Sequence, residues 1–195
     1  MTKSNKLFAF IGNALWILNP FLVFIVLFKE KLTLHIGMAW IGKFHPLFLH
    51  FPIVLSICIG LYLVFTPAGK LTKAIEQQVL LSNAFIAVIV AITGLFLSKD
   101  NTYAEDLLTQ HQWGGVAIAL FSWILVFVNN YSIKFQTNKI LRVEVGVFLL
   151  VLVIVFTHKG GQLTHGENAL SFPEDKITFP CTTALFRISD LSNSF

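Results

Sequence analysis

Residues 42–52 read Gly-Lys-Phe-His-Pro-Leu-Phe-Leu-His-Phe-Pro, and this stretch turns a polar connection into an apolar run that continues to Phe65. No Asp, Glu, Lys or Arg occurs between Lys43 and Lys70. A helix needs about 20 residues, at 1.5 Å each, to cross roughly 30 Å of hydrocarbon, so the run predicts a transmembrane helix over residues 46–65. His45 stands at its mouth. Pro46 suits the first helical position, where a missing N–H costs nothing. Pro52, in the second turn, frees a backbone carbonyl. Ser56 and Gly60, four apart, offer a small-residue contact face.

Four more segments outside this one can span. Upstream, residues 7–28 carry no charge and follow Lys3 and Lys6. This run is too long for a signal-peptide core and lacks a small-residue cleavage site, so it is expected to stay as an uncleaved helix, kinked at Asn19-Pro20. Downstream, residues 77–98 place Ala84, Ala87, Ala91 and Gly94 on one stripe, which suits close helix packing. Residues 113–131 begin beside Gly114-Gly115 and have aromatic residues at both ends. Residues 140–158 hold Arg142, expected to snorkel to the interface, and Glu144, a shallow carboxylate with a structural role. Gly160-Gly161 then reads as a turn. No internal repeat or low-complexity segment is evident.

Composition agrees with lipid as the solvent. Of 195 residues, 55% are hydrophobic, 12% are charged and 20 are phenylalanine; the mean hydropathy is +0.75. So few charges cannot clothe a soluble globule of this size. The net charge of +4 resides in short connections and forms no basic face for phosphates, which argues against nucleic acid as a partner. Cys58 reads as a small buried hydrophobe, and Cys181 lies far from it in a polar tail, in no CxxC or CxxCH motif.

The predicted fold is therefore an all-α integral membrane protein: a four-helix transmembrane bundle over residues 42–167, preceded by an extra N-terminal transmembrane helix and connection (1–41) and followed by a polar tail (168–195). That tail is too short for a core of its own. Lys3, Lys6, Lys70, Lys73, Lys134, Lys139 and Arg142 would share one face, and most connection acids the other. This predicts the N-terminus inside and the C-terminus outside.

With that threading, all six histidines fall near the outer face. Neutral imidazole is the commonest metal ligand and an axial ligand of haem iron. His45 and His50 differ by about 140° around a regular helix, so they serve different partners. His50, one turn deep, is the favoured iron ligand, with His158 at similar depth; a His50–His158 or His50–His111 pair would clamp a flat macrocycle. His35 reads as an interfacial bystander. Zinc ranks below haem, because it wants more ligands in set geometry. A transporter is disfavoured because the spans show no deep charge pair, and a metal hydrolase because no HExxH spacing occurs.

Three elements, GKFHPLFLHFPIVL, TGLFLS with HQWGG, and THKGGQLTHGE, resemble a bacterial multi-pass membrane domain catalogued as domain of unknown function 2231. The likeness covers residues 42–167. Related proteins of Bacteroidetes and Planctomycetes type place a similar module before an extracytoplasmic cytochrome c-like domain. The resemblance implies a bacterial inner-membrane protein engaged in electron transfer, with haem b as cofactor and a c-type cytochrome or a quinone as partner. It matches His45, His50, His111, His158 and His165 as the cofactor-binding positions. The chain departs from that pattern in carrying no CxxCH. The competing expectation is a non-catalytic membrane anchor whose histidines and LTHGE segment dock an extracytoplasmic partner.

Overall fold

A computed structural model describes residues 3–31, 36–66, 71–98, 105–131, 135 and 137–165. His35, Cys181 and the tail expected at 168–195 lie outside the described residues. Among the described residues six helices follow in order: α1 (Lys3–Leu27), α2 (Ile36–Gly42), α3 (His45–Phe65), α4 (Lys73–Leu97), α5 (Glu105–Tyr131) and α6 (Lys139–His165). Five of them, all but α2, are long and apolar enough to cross a membrane. The protein is an all-α multi-pass membrane bundle of α3–α6, with α1 packed on α4 and α5. Side chains such as Phe51, Phe65, Ile17 and Ile154 stand exposed on its surface, where only acyl chains solvate them.

Helix ends explain where the expected boundaries moved. Helix α4 begins early because the Thr72 hydroxyl accepts from the Ile75 N–H, capping the first turn. Asn138 caps α6 in the same way, accepting from the N–H groups of Ile140 and Leu141. Helix α5 begins at Glu105 rather than near Trp113, and its first turn carries Glu105 and Asp106, acids that favour a helix N-terminus. Gly160-Gly161 is not a turn: α6 runs through both glycines to His165. Cys58 is exposed on α3 rather than buried.

The bundle contains a repeat that the sequence hides. Helices α3–α4 and α5–α6 are two equivalent hairpins displaced by 66 residues, the separation that joins Glu76 to Arg142. The displacement also matches His45 with His111, Ser56 with Ser122, the caps Thr72 and Asn138, Lys73 with Lys139, and Gly94 with Gly160. Each hairpin packs mainly on the other, α3 against α6 and α4 against α5, as a pseudo-two-fold arrangement requires. At the α3–α6 crossing Gly60 meets Gly146, where a β-carbon on Gly146 would stand 2.8 Å from the Gly60 carbonyl. Small residues are what permit backbones this close.

Polar groups tie the helices at two levels of the bundle. Asn83, 1% exposed, donates to the Ser56 and Ser122 hydroxyls at 3.1 Å each, so one α4 side chain ties α3 to α5. Asn129 donates to Gln77 at 2.8 Å and Gln77 to the Val126 carbonyl at 3.3 Å, a second α4–α5 tie.

Candidate functional site

The two matched histidines open the two hairpins, and each reaches across to its own hairpin's second helix. His45, at the start of α3, holds the Val90 carbonyl of α4 through Nδ1 at 2.9 Å. His111, in the second turn of α5, holds the Phe156 carbonyl of α6 through Nδ1 at 3.3 Å. Both bonds span 45 residues. A carbonyl only accepts, so Nδ1 carries a proton in each ring, and in the neutral imidazole Nε2 then keeps its lone pair. Thr93 donates to the same Val90 carbonyl at 2.9 Å, bracing the His45 anchor.

A glycine one turn beyond each carbonyl makes room for the ring. A β-carbon at Gly94 would stand 2.8 Å from Cε1 of His45, and one at Gly160 would stand 2.7 Å from Cε1 of His111. Real side chains do not approach this closely, so both positions require glycine while the rings stay where they are.

Between the rings lie two adjoining hollows of about 150 Å³ and 60 Å³, both lined by His45, Leu49, Ala91, His111 and Gly115. The larger continues to the helix ends past Gln112, Gly94 and Gly160. The smaller descends into the bundle towards Pro52, Ile118 and Val153. Matched residues face one another across this space, so it lies on the pseudo-two-fold axis.

The described histidines share one end of the bundle but not one site. His45 and His111 are brought together. His50 is exposed and its Nδ1 turns back to the Pro46 carbonyl of its own helix at 3.2 Å. His158 is exposed on α6, and neither residue lines the hollows. The backbone of His165 ends α6; its side chain lies outside what is described. Among the described residues no three His, Cys, Asp or Glu side chains converge as a metal-ion set. The chemistry available is that of two imidazoles.

That donor set fits haem iron. A ligating histidine characteristically gives its other ring N–H to a carbonyl or carboxylate, which fixes the tautomer and raises the basicity of the ligating nitrogen; both rings are held this way. The space as it stands is below the roughly 300–1,000 Å³ of a full-sized ligand site, so a macrocycle's entry would part the helices around it.

At the opposite end of the bundle lies a charge pair where the hydropathy pattern predicts none. Arg142 does not snorkel: it is 1% exposed and donates through Nη1 to Glu76 at 2.9 Å. The Tyr62 and Phe135 rings lie 5.5 Å and 5.3 Å from its guanidinium carbon, within cation–π range. Glu144, the carboxylate singled out from sequence, is exposed. Glu76 reads as a residue of a connection because it precedes the apolar run. The available signal was its 66-residue match with Arg142.

No protein family, curated protein or solved structure matches the chain.

Proposed function

We propose that the chain is a haem b-binding electron-transfer module of a bacterial inner membrane, with the iron held between His45 and His111. The observation that carries this reading is the duplicated anchor: two histidines at matched positions, each with Nδ1 on a carbonyl and a glycine beneath the ring, face one hollow on the bundle axis. Bound there, haem would supply a one-electron couple. The chain's own residues do the rest. The two carbonyls orient the rings, the glycines set their depth, and Leu49, Ile53, Ile118 and Val153 exclude water, which favours the less charged redox state. Exchange partners of the right chemistry are an extracytoplasmic c-type cytochrome or a membrane quinone, as the resemblance to domain of unknown function 2231 implies. With the N-terminus inside, the histidine end faces outward.

The test is a reduced-minus-oxidised visible spectrum of detergent-purified protein made with ample haem supply. Sharp b-type bands are expected, lost in His45→Ala and in His111→Ala but kept in His50→Ala and His158→Ala. Bands that survive in the His45→Ala/His111→Ala double variant would remove these ligands. A folded but colourless wild type would sink the haem reading and leave a membrane anchor that docks a partner.

A further inference from the structure

Glu76 does not spend its whole carboxylate on Arg142. Oε1 accepts from Nη1 at 2.9 Å, and among the described residues no donor meets Oε2. Nor is that oxygen sealed, as the unbonded Nε and Nη2 of Arg142 are; it holds part of the 7% exposure that Glu76 keeps. Glu76 lines a cleft of about 180 Å³ between α3 and α4, together with Tyr62 and the apolar side chains of Leu55, Ile59, Val79 and Leu80.

Tyr62 brings the second polar group. Its ring lies on the Arg142 guanidinium, and its Oη accepts from the Leu71 N–H at 3.4 Å, which leaves the phenol hydrogen to be given. Cys58, on the same wall, is exposed within a membrane-spanning helix, so the cleft opens to the bilayer. The 66-residue displacement matches Tyr62 with Val128 and Glu76 with Arg142. The second hairpin therefore cannot repeat this pair of groups.

We infer that the cleft between α3 and α4 binds the ring of a lipid-soluble phenol. One carboxylate oxygen and one hydroxyl hydrogen are the complement of a hydroxyl group, which both gives and accepts. Arg142 already balances the carboxylate, so a cation would enter this dry place uncompensated, and a neutral head does not. An apolar cavity of about 150 Å³ holds one benzene ring, and this cleft is of that size. The site lies at the end of the bundle away from the histidines and does not depend on haem.

The experiment is saturable binding of 4-hexylphenol and of 4-hexylanisole, in which the hydroxyl is methylated, to the full-length protein in detergent. Wild type should bind the phenol about ten-fold or more tightly than the ether, the scale of one hydrogen bond to a charged group. Tyr62→Phe, which keeps the ring over Arg142, should lose part of that preference. Glu76→Leu with Arg142→Met, which removes both charges together, should lose it. Cys58→Trp fills the cleft from its exposed edge and should abolish saturable binding of both probes, whereas Ile124→Trp, at the matched position on α5, should leave it unchanged. Equal binding of phenol and ether by wild type, a preference kept in both Tyr62→Phe and the double variant, or binding unaffected by Cys58→Trp would overturn the site. Wild type that takes up neither probe saturably would overturn it as well.

Discussion

Glu76 and Arg142 occupy the same position in the two hairpins, 66 residues apart, and meet in a 2.9 Å ion pair that solvent hardly reaches. Matched positions thus carry opposite charges, and they close the bundle at the end away from the histidines.

Breaking that pair from one side leaves an uncompensated charge inside the bundle. Arg142→Met is expected to cost about 3–5 kcal/mol, whereas Glu76→Leu with Arg142→Met should recover most of the loss, because apolar replacement removes both desolvation penalties. Thermal unfolding in detergent checks this. A double variant as unstable as the sum of the two single ones would show that the pair is not coupled.

Adjacent glycines should respond with opposite signs. Gly160→Ala pushes a β-carbon into the His111 ring, and Gly94→Ala does the same to His45; each should destabilise by about 1–3 kcal/mol and weaken the haem binding proposed above. A methyl added at Gly161 would meet nothing within 4 Å, so Gly161→Ala should be neutral or stabilise the helix by up to about 1 kcal/mol. Unfolding curves and porphyrin titrations of the three variants decide it; equal effects at positions 160 and 161 would contradict the placement of His111.

The Asn83 tie should count as one unit. Interhelical hydrogen bonds in membranes average about 0.6 kcal/mol and reach about 1.7 kcal/mol. Asn83→Leu removes the bonds to both serines and should therefore cost about 1–2 kcal/mol, while Ser56→Ala and Ser122→Ala should each cost less. Adding either serine change to Asn83→Leu should do nothing further, which a double-mutant cycle measures.

Trp16 joins α1 to the bundle through edge-to-face contacts with Trp123 at 5.1 Å and Phe127 at 5.2 Å. Such contacts are worth about 0.5–1.5 kcal/mol beyond burial. Trp16→Leu should loosen α1, read as faster proteolysis at the connection after α1, and Trp16→Phe should restore much of the wild-type resistance.

Much of the architecture was legible because apolar runs long enough to span a bilayer have few alternatives. Facing was legible only where small residues mark a contact face: Ala84 and Ala87 of α4 and Ser56 of α3 do turn inward. For the histidines no such stripe exists, because the helices are apolar nearly all round, so depth made His50 attractive although His45 is the residue that turns inward. Hydropathy also sends Arg142 to the interface by default, and only the partner Glu76, 66 residues away, keeps it inside. The repeat is hard to see in the sequence because the lipid-facing positions share little beyond being apolar. What the halves keep in common is confined to positions that bond or pack, such as His45/His111, Ser56/Ser122 and Gly94/Gly160.

The charge pair also constrains how such a molecule can have arisen. Two identical hairpins, associating as separate chains, would set each carboxylate at position 76 against its own copy, and like charges in so dry a place do not both stay ionised. Opposite signs at one matched position require halves that differ. Fusion into a single chain supplies that freedom. A chain built from two copies of either hairpin would keep both histidine anchors and lose the complementary charges, so the two halves can no longer be exchanged for one another.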